Sequence, residues 1–132
     1  MSPKALLPLL GVISVLLACT KDEAVDGSSA ASITFRTDSG HVFMNDTVGL
    51  GDTLRVGVIV NDGTDALDHF FLSVAYDGGI TEYRDTVPVN SDPFTYEAML
   101  IMRQQAGTEK WTFTVQEPDG DRTLRSLTFT VQ

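Results

Sequence analysis

From residue 32 onward, apolar and polar side chains alternate along the chain with a period of two. Residues 32–37, SITFRT, alternate throughout. Residues 53–60, TLRVGVIV, put Leu54, Val56, Val58 and Val60 on one side. Residues 69–76, HFFLSVAY, do the same for Phe70, Leu72, Val74 and Tyr76. Residues 80–87, ITEYRDTV, are more polar, as suits a strand at the edge of a sheet. Residues 94–103 align Phe94, Tyr96, Ala98, Leu100 and Met102; residues 110–116 align Trp111, Phe113 and Val115; residues 124–131 align Leu127, Phe129 and Val131. Side chains project alternately from the two faces of a strand, so this period predicts seven half-buried strands. Only 94–105 has a helical alternative, in MLIMRQQ, and its aromatic start and alternation favour a strand.

Turn residues separate the segments. Gly49-Leu50-Gly51-Asp52 precedes the second, and Asn61-Asp62-Gly63 follows it. Asp77-Gly78-Gly79 joins the third to the fourth, and Pro118-Asp119-Gly120 joins the last two. Short strands at this spacing predict an all-β chain of two packed antiparallel sheets. Lys110 to Val115, the Glu117-Pro118-Asp119-Gly120 turn and Ser126 to Val131 resemble the closing hairpin of bacterial immunoglobulin-like modules. Gly51 to Val56 resembles their second strand with the turn before it. The resemblance implies an immunoglobulin-like β-sandwich over residues 32–132, of the kind that serves as binding surface, spacer or stalk on cell-surface proteins. The paired cysteines of antibody domains are missing, so packing alone must hold the sheets together.

The first residues follow another pattern. Lys4 is followed by an apolar run, ALLPLLGVISVLL, over residues 5–17. As a helix it would rise about 20 Å, short of a hydrocarbon core of about 30 Å, so it reads as a secretory signal. It ends in Leu16-Leu17-Ala18-Cys19, which resembles the lipobox of bacterial lipoproteins. That family implies cleavage after residue 18 and lipid on Cys19, the only cysteine in the chain. Two or three acyl chains make a durable anchor, where one is marginal. Residues 19–31 then form a lipidated cysteine and an acidic, small-residue tether that cannot bury enough apolar surface to order itself. Within it, Lys21, Asp22 and Glu23 resemble the surface-export signal of Bacteroidota lipoproteins. The resemblance implies a domain held on the outer membrane and facing outward, with a periplasm-facing position as the alternative.

Charge narrows the partners. From Cys19 onward there are 8 basic against 18 acidic side chains, a net charge of −10. Nucleic acid is excluded for want of a basic patch, and side-chain charge cannot dock the chain on anionic lipid. The membrane contact is expected through the lipid alone.

No catalytic motif stands out. His41 and His69 have no metal-ligand spacing, and neither a nucleophile elbow nor a phosphate loop is present. We expect no enzyme activity and no cofactor. The one cation considered is calcium, for which Asp62, Asp65 and Asp68 gather oxygens after the second strand; Asn-Asp-Gly is equally an ordinary tight turn. Trp111 shares the face of Phe113 and Val115 and is expected in the core. Phe71, Tyr83 and Met99 lie on the opposite faces of their strands and are candidates for a ligand surface if they join. The expected role is a non-catalytic binding or accessory module for another envelope protein, or alternatively a glycan-binding module of a polysaccharide-uptake system.

Overall fold

The computed structural model describes residues 30–132. Cys19 and the Lys21-Asp22-Glu23 segment lie outside the described residues. No helix occurs among those described. Eight strands do: β1 (Ser32–Phe35), β2 (Asp46–Val48), β3 (Thr53–Asn61), β4 (His69–Tyr76), β5 (Thr81–Pro88), β6 (Phe94–Ile101), β7 (Gly107–Gln116) and β8 (Arg122–Val131). They form a three-stranded sheet in the order β1-β3-β6 and a five-stranded sheet in the order β2-β8-β7-β4-β5. All pairings are antiparallel except β2 with β8. The described strands begin with β1 in the small sheet, and the chain crosses to β2, which lies parallel to the last strand of the large one. This is the immunoglobulin-like β-sandwich.

The alternation read from the sequence is the alternation that builds the core. Val56, Val58 and Val60 of β3, with Ala98 and Leu100 of β6 and Phe35 of β1, face Phe70, Val74, Phe113, Val115 and Phe129 of the other sheet. Phe113 meets Phe35 edge-on across the layers at 5.4 Å, and Phe70 lies 4.6 Å from Tyr96. Each fully buried Phe or Val contributes about 1.5–3 kcal/mol, which is how packing replaces the missing inter-sheet disulfide. Trp111 is buried with them.

The sequence differed from the structure at the margins. The short β2 was not expected: its three residues show no periodicity, and only the partner strand β8 makes it a strand. β1 and β6 end at Phe35 and Ile101, earlier than the alternation suggested, although the Arg36 N–H still donates to the Gly57 carbonyl and the Met102 N–H to that of Asp52, both at 2.8 Å. β7 starts at Gly107, three residues before its apolar pattern does.

Topology sorts the connections to two ends. Ser32, where the described strands begin, pairs with Asn61, so the chain joins the sandwich beside the 62–68, 89–93 and 117–121 connections. The 49–52, 77–80 and 102–106 connections lie at the far end.

Candidate functional site

Because Phe70, Leu72 and Val74 of β4 point inward, His69, Phe71 and Ser73 point out from the five-stranded sheet. Trp111, Phe113 and Val115 likewise turn Lys110, Thr112 and Gln116 outward, and β8 adds Arg122, Leu124 and Ser126. β5 joins this face through an irregularity. Leu72 pairs with Asp85, but Ser73 pairs with Tyr83, so Arg84 is an extra residue in the strand. Such a bulge reverses the facing of everything beyond it. Without it Tyr83 would sit opposite Val74 and point inward; with it Tyr83 shares the outer face with Phe71.

The two candidate ligand-binding residues are therefore neighbours. The rings of Phe71 and Tyr83 lie 6.0 Å apart in an edge-to-face arrangement, and His69 stacks on Phe71 at 6.2 Å. The Arg122 guanidinium lies over the Phe71 ring at 5.3 Å, and its Nε donates to Gln116 Oε1 at 2.8 Å. Tyr83 is 58% exposed and Leu124 56%. Beside Tyr83 a shallow hollow of about 270 Å³ runs between Ser73, Thr81, Lys110, Thr112, Ser126 and Leu124. The Thr112 and Ser126 hydroxyls on its floor are 2.8 Å apart. A second hollow of about 250 Å³ continues along Lys110 toward Gly78 and Gly79. An aromatic wall, a hydroxyl floor and two cations can grip a polar ligand that has apolar faces. Met99, the third candidate, is on the other sheet: it pairs with Arg55 on β3 and is exposed beside Ile101.

The acids suggested for calcium do not converge. The Asp62 backbone N–H donates to Asp92 Oδ1 at 3.2 Å, and the hydrogen bond between these two carboxyls, their burial and their mutual repulsion push the Asp62 carboxyl up. Asp68 Oδ2 lies 2.9 Å from His69 Nδ1. Asp65 turns to Glu117 and Asp119 of the β7–β8 turn, with one oxygen from each lying within 4.8 Å of the others. Partial burial, then Asp119, Asp65 and Asp121, push the Glu117 carboxyl up. The spacing could not show this, because two of the three acids, Glu117 and Asp119, come from the β7–β8 turn far along the chain.

Two further clusters were not foreseen. On the outer side of the small sheet His41 packs over Gly57, with its side chain 2% exposed. Its Nε2 is 3.0 Å from Glu97, and Asp38 Oδ1 lies 3.3 Å from Nδ1 without the direction of a hydrogen bond. Arg55 donates to Glu97 at 2.7 Å and, together with His41, holds its carboxyl below the usual range. A side chain beneath would have to displace this cluster: a Cβ at position 57 would stand 2.6 Å from Glu97 Oε2 and 2.8 Å from Arg36 Cδ. At the far end Glu109 is fully buried and accepts from Trp111 Nε1 at 3.2 Å and from the Arg103 backbone N–H at 2.8 Å. Among the described residues no serine or cysteine is hydrogen-bonded to either histidine.

The chain matches no protein-family model and no curated protein sequence. Among solved structures it is similar to a CARDB domain from Pyrococcus furiosus in complex with di-metal ions, at 14% identity and a TM-score of 0.48, over 79% of this chain and 93% of that one. It is also similar to part of a β-glucosidase from Listeria innocua in complex with glucose, at 12% identity and a TM-score of 0.42; that match covers 79% of this chain and 16% of that one. The strand order given above, and not these likenesses, carries the fold assignment.

Proposed function

We propose that this protein is a non-catalytic, glycan-binding module, held at the outer membrane by lipid on Cys19 and displayed outward. The observation that carries the binding role is the meeting of Phe71 and Tyr83 on an outer sheet face, beside a hydroxyl-lined hollow. Aromatic rings offer a flat apolar contact to a sugar ring, and hydroxyls offer it hydrogen bonds. Two observations support a non-catalytic role: His41 has two carboxylates beside it but its ring is sealed from any substrate, and the exposed His69, paired with Asp68, has no serine or cysteine hydrogen-bonded to it among the described residues. The anchor is supported by the lipobox-like Leu16-Leu17-Ala18-Cys19 alone, and the outward address by Lys21, Asp22 and Glu23.

The experiment is a glycan array probed with the full chain in mild detergent. Retention on a polysaccharide that Tyr83→Ala abolishes, with thermal stability unchanged, is the expected result. Retention indifferent to Tyr83→Ala overturns the platform. Separately, Cys19→Ser should move the chain out of the detergent phase, and continued partitioning would end the lipid reading.

A second reading, docking on another envelope protein, draws on the edge strand β6. Met99 and Ile101 are 60% and 66% exposed there, on the outer side of the small sheet. An exposed edge with apolar side chains is a natural site for strand pairing or face packing by a partner.

A further inference from the structure

The face that carries Tyr83 differs in charge from the rest of the molecule, and this narrows the ligand. The inference rests on the platform reading above. Among the described residues, Arg36, Arg55, Arg84 and Arg103 each lie within 3.3 Å of a carboxylate oxygen. Arg125 has no carboxylate partner but is taken up by the Ile33 carbonyl at 3.0 Å and the Phe35 ring, away from this face; Lys110 and Arg122 form no such pair either, although the chain has 18 acids to 9 bases. Both are exposed and both stand on the outer face of the five-stranded sheet. No carboxylate lines either hollow there, and Lys110 lines both. The acid next to Lys110 in sequence, Glu109, points the opposite way by strand alternation and is consumed in the core by Arg103 and Trp111. The acids beside Arg122 lie at one end of the face: Asp119 and Asp121 in the β7–β8 turn, and Asp68, whose carboxylate is held by His69 Nδ1 and whose N–H donates to the Gln116 carbonyl.

We propose that this platform takes an acidic polysaccharide, with a sugar ring against Tyr83 and Phe71 and a carboxylate or sulfate on the sugar meeting Lys110. Charge-assisted hydrogen bonds are about twice as strong as neutral ones, so one such contact weighs heavily in a shallow site. The net charge of the chain opposes a polyanion at long range, but physiological salt screens beyond about 8 Å, and only nearby acids then matter. Those acids crowd the 117–121 end, while Asp77 beside Gly78 is taken up by Arg103 at 3.2 Å and the Thr108 N–H at 2.9 Å, so the ligand's charge is directed to the Lys110 end. The stacked Arg122, fixed on Phe71 and Gln116, stands between the turn and the bound sugar.

The test is calorimetric titration of the full chain in mild detergent with polygalacturonate and chondroitin sulfate, against methyl-esterified polygalacturonate and dextran as neutral counterparts. Binding to at least one anionic polymer is expected, weaker by about tenfold or more for the neutral forms. Lys110→Gln should weaken it about fivefold without moving the thermal midpoint, while Arg55→Gln on the other sheet leaves it unchanged. Binding should also weaken as salt rises from about 50 to 300 mM. Equal weakening by Arg55→Gln would mean a general charge effect and overturn the proposal. Neutral polymers binding as well as charged ones, with Lys110→Gln silent and Tyr83→Ala damaging, would overturn it while leaving the glycan platform standing. No binding to any of the four polymers would overturn both.

Discussion

Glu109→Ala should be among the most damaging single substitutions in the sandwich. The Glu109 carboxylate has no solvent exposure, yet three donors depend on it: the Arg103 backbone N–H at 2.8 Å, Arg103 Nε at 3.3 Å and Trp111 Nε1 at 3.2 Å. Removing it strands the indole N–H in the core, and a buried donor without an acceptor costs about 1–3 kcal/mol. It also takes from Arg103 one of its two carboxylates, leaving Asp77 at 3.2 Å, and opens a cavity beneath Trp111. Arg103, 23% exposed and still paired with Asp77, is not left as a bare buried charge, so the stranded indole donor and the cavity together set an expected loss of about 2–4 kcal/mol. A domain of this size has about 5–15 kcal/mol in total, so the loss would be a large share of its stability. Trp111 is the only tryptophan, and its emission during urea unfolding reports the loss directly. The midpoint should fall while the slope with denaturant stays the same. Glu109→Gln keeps the volume and one acceptor, and should cost distinctly less. A loss below about 1 kcal/mol for Glu109→Ala would refute the reasoning, because Trp111 and Arg103 would then have other partners.

Gly107→Ala should cost about 1–3 kcal/mol in the same assay, since the residue has φ 154° and a Cβ there would collide with the Asp77 carboxylate; no loss would mean that Asp77 and the start of β7 are not held together as described. Glu117→Gln should raise stability at neutral pH. The folded pKa of Glu117 lies above its ordinary value of 4.5, through partial burial and then Asp119, so wild-type stability should gain as the pH falls through that raised value toward 4.5, and the variant should lack this gain in urea titrations. Below that range the sign reverses for both proteins. Glu97, held low first by Arg55, and Asp77, held low first by the Thr108 N–H, contribute stability above their ordinary values that is lost as the pH falls through their depressed folded values.

What the sequence determined by itself was everything that depends on local period. The inward faces of β3, β4, β6, β7 and β8 were legible residue by residue, because a strand's alternation survives whatever it packs against. The Asp77-Gly78-Gly79 and Pro118-Asp119-Gly120 turns were legible for the same local reason. The proposed lipid on Cys19 and the proposed outward address rest on short local motifs alone. Tertiary structure decided the rest. β2 has no pattern of its own and exists as a strand through β8. The acids grouped after β3 by spacing were dispersed to Asp92, His69 and the β7–β8 turn, because loops at one end of a sandwich meet in space without being near in sequence. Nothing in the sequence singled out Glu109, whose burial depends on Trp111 and Arg103 closing on it. The candidate site itself turned on one extra residue. Alternation could place Phe71 outside, but only the register shift at Arg84 brings Tyr83 to the same face, and register is fixed by the partner strand.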